Sequence, residues 1–230
     1  MKTIGLVGGL SWESSKEYYR IINETVNERL GGLHSAKCIL YSLDFAEIRK
    51  IQQTKGWDEV TKILIDAAQN LEAAGADIVV ICANTMHKFV PEIQRRIHVP
   101  ILHIADATAE KILEKGLKKV GLLGTKMTME EDFYKGRIRE RFCVDVLVPD
   151  KDERDFIERA IFDELCVGKM NASSKERFKQ IIGKLVENGA EGIILGCTEI
   201  PLLIKPEDGN VPIFDTAEIH AKAAVEFALK

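Results

Sequence analysis

Two stretches of this 230-residue chain repeat each other, and the repeat limits the possible folds more than any other feature. Residues 71–85 read LEAAGADIVVICANT and residues 185–199 read LVENGAEGIILGCTE, 114 positions further on. In the same order, IGLVG at 4–8 matches VGLLG at 120–124, and VPILHIADAT at 99–108 resembles VPIFDTA at 211–217. Three matches in one order, spaced by about half the chain, predict two units of similar build. No stretch of linker-like composition separates them, so close packing of the two is expected.

Each copy alternates short apolar runs with helical patterns. The runs at 3–7, 38–42, 78–81 and 101–103 have strand length. Within 57–74, Val60, Ile63, Leu64, Ala67, Ala68 and Leu71 fall three and four apart, the period of one helix face. Phe178, Ile181, Ile182, Leu185 and Val186 do the same within 176–188. Strand–helix alternation implies a parallel sheet covered by helices. The fold expected is α/β, with two similar parallel-sheet domains related by a pseudo-twofold: residues 1–103 plus 211–230, and residues 104–210. Ligands of open α/β sheets bind outside the carboxyl ends of the strands. An active site in a cleft between the two domains follows.

Those strand ends carry the chemistry. Cys82 and Cys197 both follow an apolar run, but at the 114-residue offset Cys197 pairs with Ala83, and Cys82 pairs with Gly196. Strand side chains alternate faces, so Cys82 should point away from whatever Ala83 meets. A buried packing thiol is expected at Cys82. Cys197, in a Gly-Cys-Thr-Glu turn, is the working thiol and the one expected to alkylate first. Cys38, Cys143 and Cys166 read as packing residues. The five cysteines form no CxxC pair, and with no secretory signal they fit a reducing, cytoplasmic setting.

The rest of the composition narrows the partners. A net charge of −4 gives no electrostatic footprint for nucleic acid. No apolar run reaches the roughly 18 residues that span a bilayer. With 46% hydrophobic and 30% charged residues the balance is that of a globular protein, and a small molecule is the expected partner. Loops of small polar residues that open helices present N–H groups and hydroxyls suited to carboxylates. Asn84, Thr85 and Thr198 lie in such loops, and Ser11 lies in the turn after the first strand. That turn, GLVGGLS at 5–11, is not a dinucleotide fingerprint. Arg49 and Gln52, one helical turn apart, are either solvated surface groups or the holders of a side-chain carboxylate. Lys169 has the same two readings. An arginine would do this through a bidentate fork. His87, His103 and His220 lack metal-ligand spacing and read as core or supporting histidines.

GGLSW at 8–12, ANTMH at 83–87, HIADAT at 103–108, GTKMTM at 124–129, GCTE at 196–199 and FDTA at 214–217 resemble the aspartate/glutamate racemase family, in order and over essentially the whole chain. The resemblance implies a cofactor-independent isomerase, an amino acid as substrate, a homodimer, and two similar α/β domains with the active site between them. It further implies two-thiol racemisation, in which one cysteine takes the Cα proton as thiolate and the other returns a proton to the opposite face. Asn84, Thr85 and Thr198 would hold the α-carboxylate and amino group, with Leu10, Ser11 and Thr125 in the neighbouring family loops. Arg49, Gln52 and Lys169 would serve a distal carboxylate. The chain departs from the family at one decisive place. The family's first cysteine directly precedes Asn-Thr, and here that residue is Ala83. Alanine exchanges no proton. An introduced Cys→Ala change that traps substrate, a natural one-thiol enzyme, and a chain that has lost racemisation all fit. The alternatives in function are a one-thiol decarboxylase or isomerase of the same superfamily and an inactive amino-acid-binding protein.

Overall fold

A computed structural model describes residues 1–230. In chain order the elements begin β1 (Ile4–Gly8), α1 (Trp12–Leu30), β2 (Cys38–Ser42), α2 (Phe45–Lys55), α3 (Trp57–Ala73), β3 (Ile78–Ile81), α4 (Val90–Gln94) and β4 (Ile101–Leu102). They continue α5 (Ile104–Glu114), β5 (Lys119–Gly124), α6 (Lys126–Glu130), α7 (Lys135–Phe142), β6 (Asp145–Leu147), α8 (Lys151–Arg159), α9 (Ala172–Glu187), β7 (Ile193–Gly196), α10 (Ile200–Leu203), β8 (Ile213–Asp215) and α11 (Thr216–Leu229). The strands form two parallel sheets with the same order, β2-β1-β3-β4 and β6-β5-β7-β8. The α/β class and the doubled build read from the repeat are therefore present.

The central strands are apolar because both faces of each sheet are covered. Every residue of β1, β3 and β7 is buried, the pattern of a parallel sheet between helices. The helix α3 buries Val60, Leu64, Ala67, Ala68 and Leu71, and α9 buries Phe178, Ile181, Ile182 and Leu185. Each large side chain of this kind contributes about 1.5–3 kcal/mol by leaving water. Both helices stop in the same way. Gly75 and Gly189, equivalent in the repeat, hold φ of 92° and 93°, a conformation that costs a residue with a Cβ. Ala76 and Ala190 then turn the chain into β3 and β7.

Contacts divide the chain into Met1–His103 with His220–Lys230, and Ile104–Ile219. The expected boundary after 210 thus moves. Residues 211–219 belong to the second unit because β8 is hydrogen-bonded to β7, pairing Ile193 with Ile213 and Leu195 with Asp215. Only from His220 does α11 return to the first unit. There Lys2 N–H donates to the Ala228 carbonyl at 2.9 Å. Each unit has its own core. One gathers Val7, Leu64, Val79 and Ile81; the other gathers Leu122, Phe178, Ile194 and Phe214.

Cys143 departs from its expected burial. It caps the carboxyl end of α7 with φ 56°, the one non-glycine residue with positive φ, and its thiol is exposed.

Candidate active site

In the second unit the thiol stands where β7 leaves the sheet. Gly124 of β5 pairs with Gly196 of β7. A Cβ at Gly124 would lie 2.8 Å from the Gly196 carbonyl oxygen, and one at Gly196 would lie 3.0 Å from the Leu123 carbonyl oxygen. Neither strand end tolerates a side chain there, and this close approach sets the position of the next residue, Cys197. Its side chain is 8% exposed. The thiol donates to Glu199 Oε2 at 2.9 Å, and the Thr198 hydroxyl donates to the same oxygen at 2.8 Å. Burial, and then the Glu199 carboxylate, push the Cys197 thiol well above the usual cysteine range, so it carries its proton.

The first unit repeats this geometry with different side chains. Val7 pairs with Ile81 in one sheet, and Leu123, the repeat equivalent of Val7, pairs with Leu195 in the other. Ile81 and Leu195 are therefore equivalent, Cys82 matches Gly196, and Ala83 matches Cys197. Cys82 is fully buried; its carbonyl accepts from Ser14 Oγ at 2.8 Å, and burial pushes its thiol far up. Ala83 is half-buried, and its carbonyl accepts from His87 Nδ1 at 2.8 Å. A carbonyl only accepts, so that nitrogen carries a proton.

Beneath Ala83 lie three buried imidazoles. His87 stands 4.8 Å from His103 and 5.3 Å from His220, measured between ring centres. His220 Nε2 donates to the Leu102 carbonyl at 2.9 Å, which leaves Nδ1 to accept from the Tyr18 hydroxyl at 2.8 Å. Burial, with His87 as the lesser cause, pushes the His220 pKa down to about 3. A neutral His220 anchors α11 to α1 and to the end of β4.

The remaining expected site residues divide by location. In the first unit, Ser11, Ala83, Asn84 and Thr85 come together at the carboxyl ends of the neighbouring strands β1 and β3. Ser11 occupies the N-cap position of α1, yet its side chain makes no cap bond. Asn84 is buried, and Thr85 opens a 3₁₀ turn through Phe89. In the second unit, Thr125, Cys197 and Thr198 come together at the ends of β5 and β7. Thr125 caps α6, accepting from the Thr128 N–H at 3.4 Å. Leu10 is 5% exposed and its side chain lies in the core of the first unit, so only its backbone remains for a ligand. Arg49 and Gln52 sit one turn apart on α2, the former exposed and the latter half-buried. Lys169 is exposed just after a π-helical turn, Ala160–Glu164, and a 3₁₀ turn, Leu165–Val167. Single π turns recur at functional sites.

Two contributors were not picked out as site residues. Glu199 holds the thiol, and its signal was an acid within the apolar run 193–204. His87 holds the Ala83 carbonyl from one helical turn away. Cys143 is exposed and Cys197 is buried, so early alkylation of Cys197 would have to come from its reactivity and not from its exposure. The structure has no group of three or more His, Cys, Asp or Glu side chains placed to hold a metal ion, and no helix long and apolar enough to cross a membrane.

Comparison with known proteins agrees with this architecture. The profile of the Asp/Glu/hydantoin racemase family matches residues 7–224. A crystal structure from Yersinia pestis, named as a provisional Asp/Glu racemase, is 49% identical, with a TM-score of 0.94 and 100% of both chains covered. The structure of an aspartate racemase homologue from Pyrococcus horikoshii OT3 is 42% identical, with a TM-score of 0.87 and again 100% of both chains covered. The broad specificity amino-acid racemase RacX of Bacillus subtilis (strain 168) is 27% identical over 170 residues, which cover 73% of this chain and 72% of that protein.

Proposed function

The chain belongs to the Asp/Glu/hydantoin racemase family, and on that premise we propose that it is an amino acid racemase acting on aspartate or glutamate, with Cys197 as its one acid–base thiol. The observation that carries the reading is the Cys197 thiol at the end of β7, hydrogen-bonded to the buried Glu199. As thiolate, Cys197 removes the Cα proton from one face of the substrate. As thiol, it returns a proton to the same face in the reverse direction. Ala83 takes the place of the second thiol, so water supplies the other face. Asn84, Thr85 and Thr198 hold the α-carboxylate and amino group, joined by Ser11, Thr125 and the backbone at Leu10. Arg49, Gln52 or Lys169 holds the distal carboxylate. Charge-assisted contacts of that kind contribute on the order of 1.5–3 kcal/mol each. The reaction needs no cofactor, and the working form is a cytoplasmic homodimer with neither nucleic acid nor membrane as partner.

Proton NMR in D2O with L- and D-aspartate and L- and D-glutamate tests this. Loss of the Cα–H signal is expected, together with the opposite enantiomer on chiral chromatography of the same samples. Stable Cα–H signals in all four would end the racemase reading. A second reading starts from Ala83: a one-thiol enzyme needs only to protonate a carbanion left by decarboxylation of a substituted malonate. Release of carbon dioxide from such a substrate, without Cα exchange of amino acids, would favour it.

A further inference from the structure

We propose that Ser14 and Ser15, adjacent on the first turn of α1, are positioning residues that lock the loops after β1 and β3 to each other. The proposal rests on the reading of Ser11, Asn84 and Thr85 as groups that hold the substrate. It starts from the end of the sheet. In a parallel pair the backbone bonds are evenly spaced along the strands. The last rung between β1 and β3 runs from the Cys82 N–H to the Val7 carbonyl at 2.9 Å. The next would join the Gly9 N–H to the Cys82 carbonyl. Gly9 turns away at φ 72° instead, in a place where a Cβ would collide with the Leu43 backbone. The two serines take the ends of that rung. Ser15 Oγ accepts from the Gly9 N–H at 2.8 Å, and Ser14 Oγ donates to the Cys82 carbonyl at 2.8 Å. Side chains from one helical turn thus stand in for the backbone rung where the strands part.

Ser15 Oγ also donates to the Ser11 carbonyl at 3.0 Å, so one hydroxyl holds both ends of the loop from Gly9 to Ser11. The Ser11 side chain makes no cap bond, which keeps its own hydroxyl for a ligand. Ser14 grips the carbonyl just before Ala83, 68 positions away, and so sets where Ala83, Asn84 and Thr85 emerge. Both serines are 3% exposed, so neither offers its hydroxyl to a ligand; they act through the loops. The helix itself does not need them. Serine is a poorer helix former than alanine, and a hydroxyl buried without a partner is costly. Their partners lie on the two loops, so one turn of α1 fixes the spacing between Ser11 and the Asn84–Thr85 pair. A misplacement of about 1 Å in such a set can cost about 10²-fold.

The test compares the full-length parent with Ser14→Ala, Ser14→Thr and Ser15→Ala. Thr61→Val is the control, since it removes a buried helix hydroxyl elsewhere in the first unit. Two measurements are made: initial rates of Cα–H exchange of aspartate and glutamate against their concentration, and backbone amide exchange segment by segment. Ser14→Ala should raise KM by about 10–10²-fold with a much smaller change in kcat, because the displaced groups hold ground state and transition state alike. Its amide exchange should quicken at 82–87, and that of Ser15→Ala at 9–11, with β5 and β7 as protected as in the parent. Ser14→Thr keeps the hydroxyl and should return KM to near the parent value. A serine with a structural role alone would lower Tm and leave KM in place, as Thr61→Val should. The idea is overturned if both alanine variants keep the parent KM, if KM rises with no local change in amide exchange, if Ser14→Thr is no better than Ser14→Ala, or if Thr61→Val raises KM as much. Should Ser14→Ala not fold, Ser14→Cys takes its place, because a thiol fills the site and donates only weakly. Should the parent exchange no Cα proton, the racemase reading fails on its own account. Amide exchange then decides the clamp: quickening confined to 9–11 and 82–87 supports it, and no local change removes it.

Discussion

At position 83 the side chain ends at a methyl group where its repeat equivalent, Cys197, ends at a thiol, and this one difference controls the expected rate. Racemisation needs an acid and a base within reach of Cα on opposite faces. Ala83→Cys should therefore raise aspartate or glutamate racemisation by about 10²–10⁴-fold, measured by circular dichroism of the substrate. An unchanged rate would mean that Ala83 does not face the substrate. His220 makes a prediction of a different kind. Its pKa is pushed down to about 3 in the folded chain, whereas an unfolded histidine titrates near 6.5. Below about pH 6.5 the unfolded chain binds the extra proton and the folded chain does not, so stability falls with pH and the loss levels off near pH 3. Between pH 7 and pH 4.5 this residue should remove about 2–3 kcal/mol of stability. Urea unfolding at the two pH values, for the parent and for His220→Gln, checks it. The variant should be less stable at pH 7 and less sensitive to acid. Equal pH slopes would show that His220 is not the group responsible.

Strand ends that pair glycine with glycine position the loops that follow them. The Cβ of Gly196→Ala would press on Leu122 Cδ1 at 2.8 Å and on the Leu123 carbonyl at 3.0 Å, so β5 or β7 must shift. Overpacking of this kind costs about 1–3 kcal/mol. The shift is passed directly to Cys197, so thermal stability and Cα exchange should fall together; a variant with parent Tm and parent rate would show that the strands have room to spare. The helix α8 offers a contrast. Asp150 and Glu153 form a reciprocal capping box at its start, and Glu153 also accepts from Lys184 Nζ at 2.6 Å. Asp150→Ala should cost about 1 kcal/mol in chemical denaturation and leave exchange kinetics alone, since the box touches no site loop.

For the molecule as a whole, the division of the chain predicts unequal dependence on the C-terminus. Residues 104–219 are continuous and contain a complete four-stranded sheet with its own core. The first unit borrows its last helix from the far end of the chain: Ala228 accepts from Lys2, Glu226 pairs with Arg29, and His220 with Tyr18. Expressed alone, residues 104–219 should show a cooperative thermal transition. A chain ending at Ile219 should lose amide protection in β1 and β3 while keeping it in β5 and β7, measured by hydrogen exchange. Uniform loss across both sheets would contradict the division.

Short-range patterns made much of this legible. Apolar runs of four or five residues, helix faces spaced three and four, and the helix-stopping Gly75 and Gly189 are local signals, so the α/β class and the doubled sheet were readable. The equivalence of Ala83 and Cys197 was readable for the same reason, because it depends on counting from Gly75 and Gly189. Four features were not. Cys143 lies in an apolar stretch, and nothing local distinguishes a strand residue from a left-handed helix cap that turns the thiol outward. Whether β8 closes the first sheet or the second depends on hydrogen bonds to β7 that residues 211–217 do not specify. His220 finds Tyr18 at a separation of 202 positions and Leu102 at 118, so its neutral, locked state is a property of the folded core. Glu199 had two local possibilities, to cap α10 or to turn back to Cys197. Burial chose between them, since a carboxylate removed from water must find its hydrogen bonds among the groups the fold brings beside it.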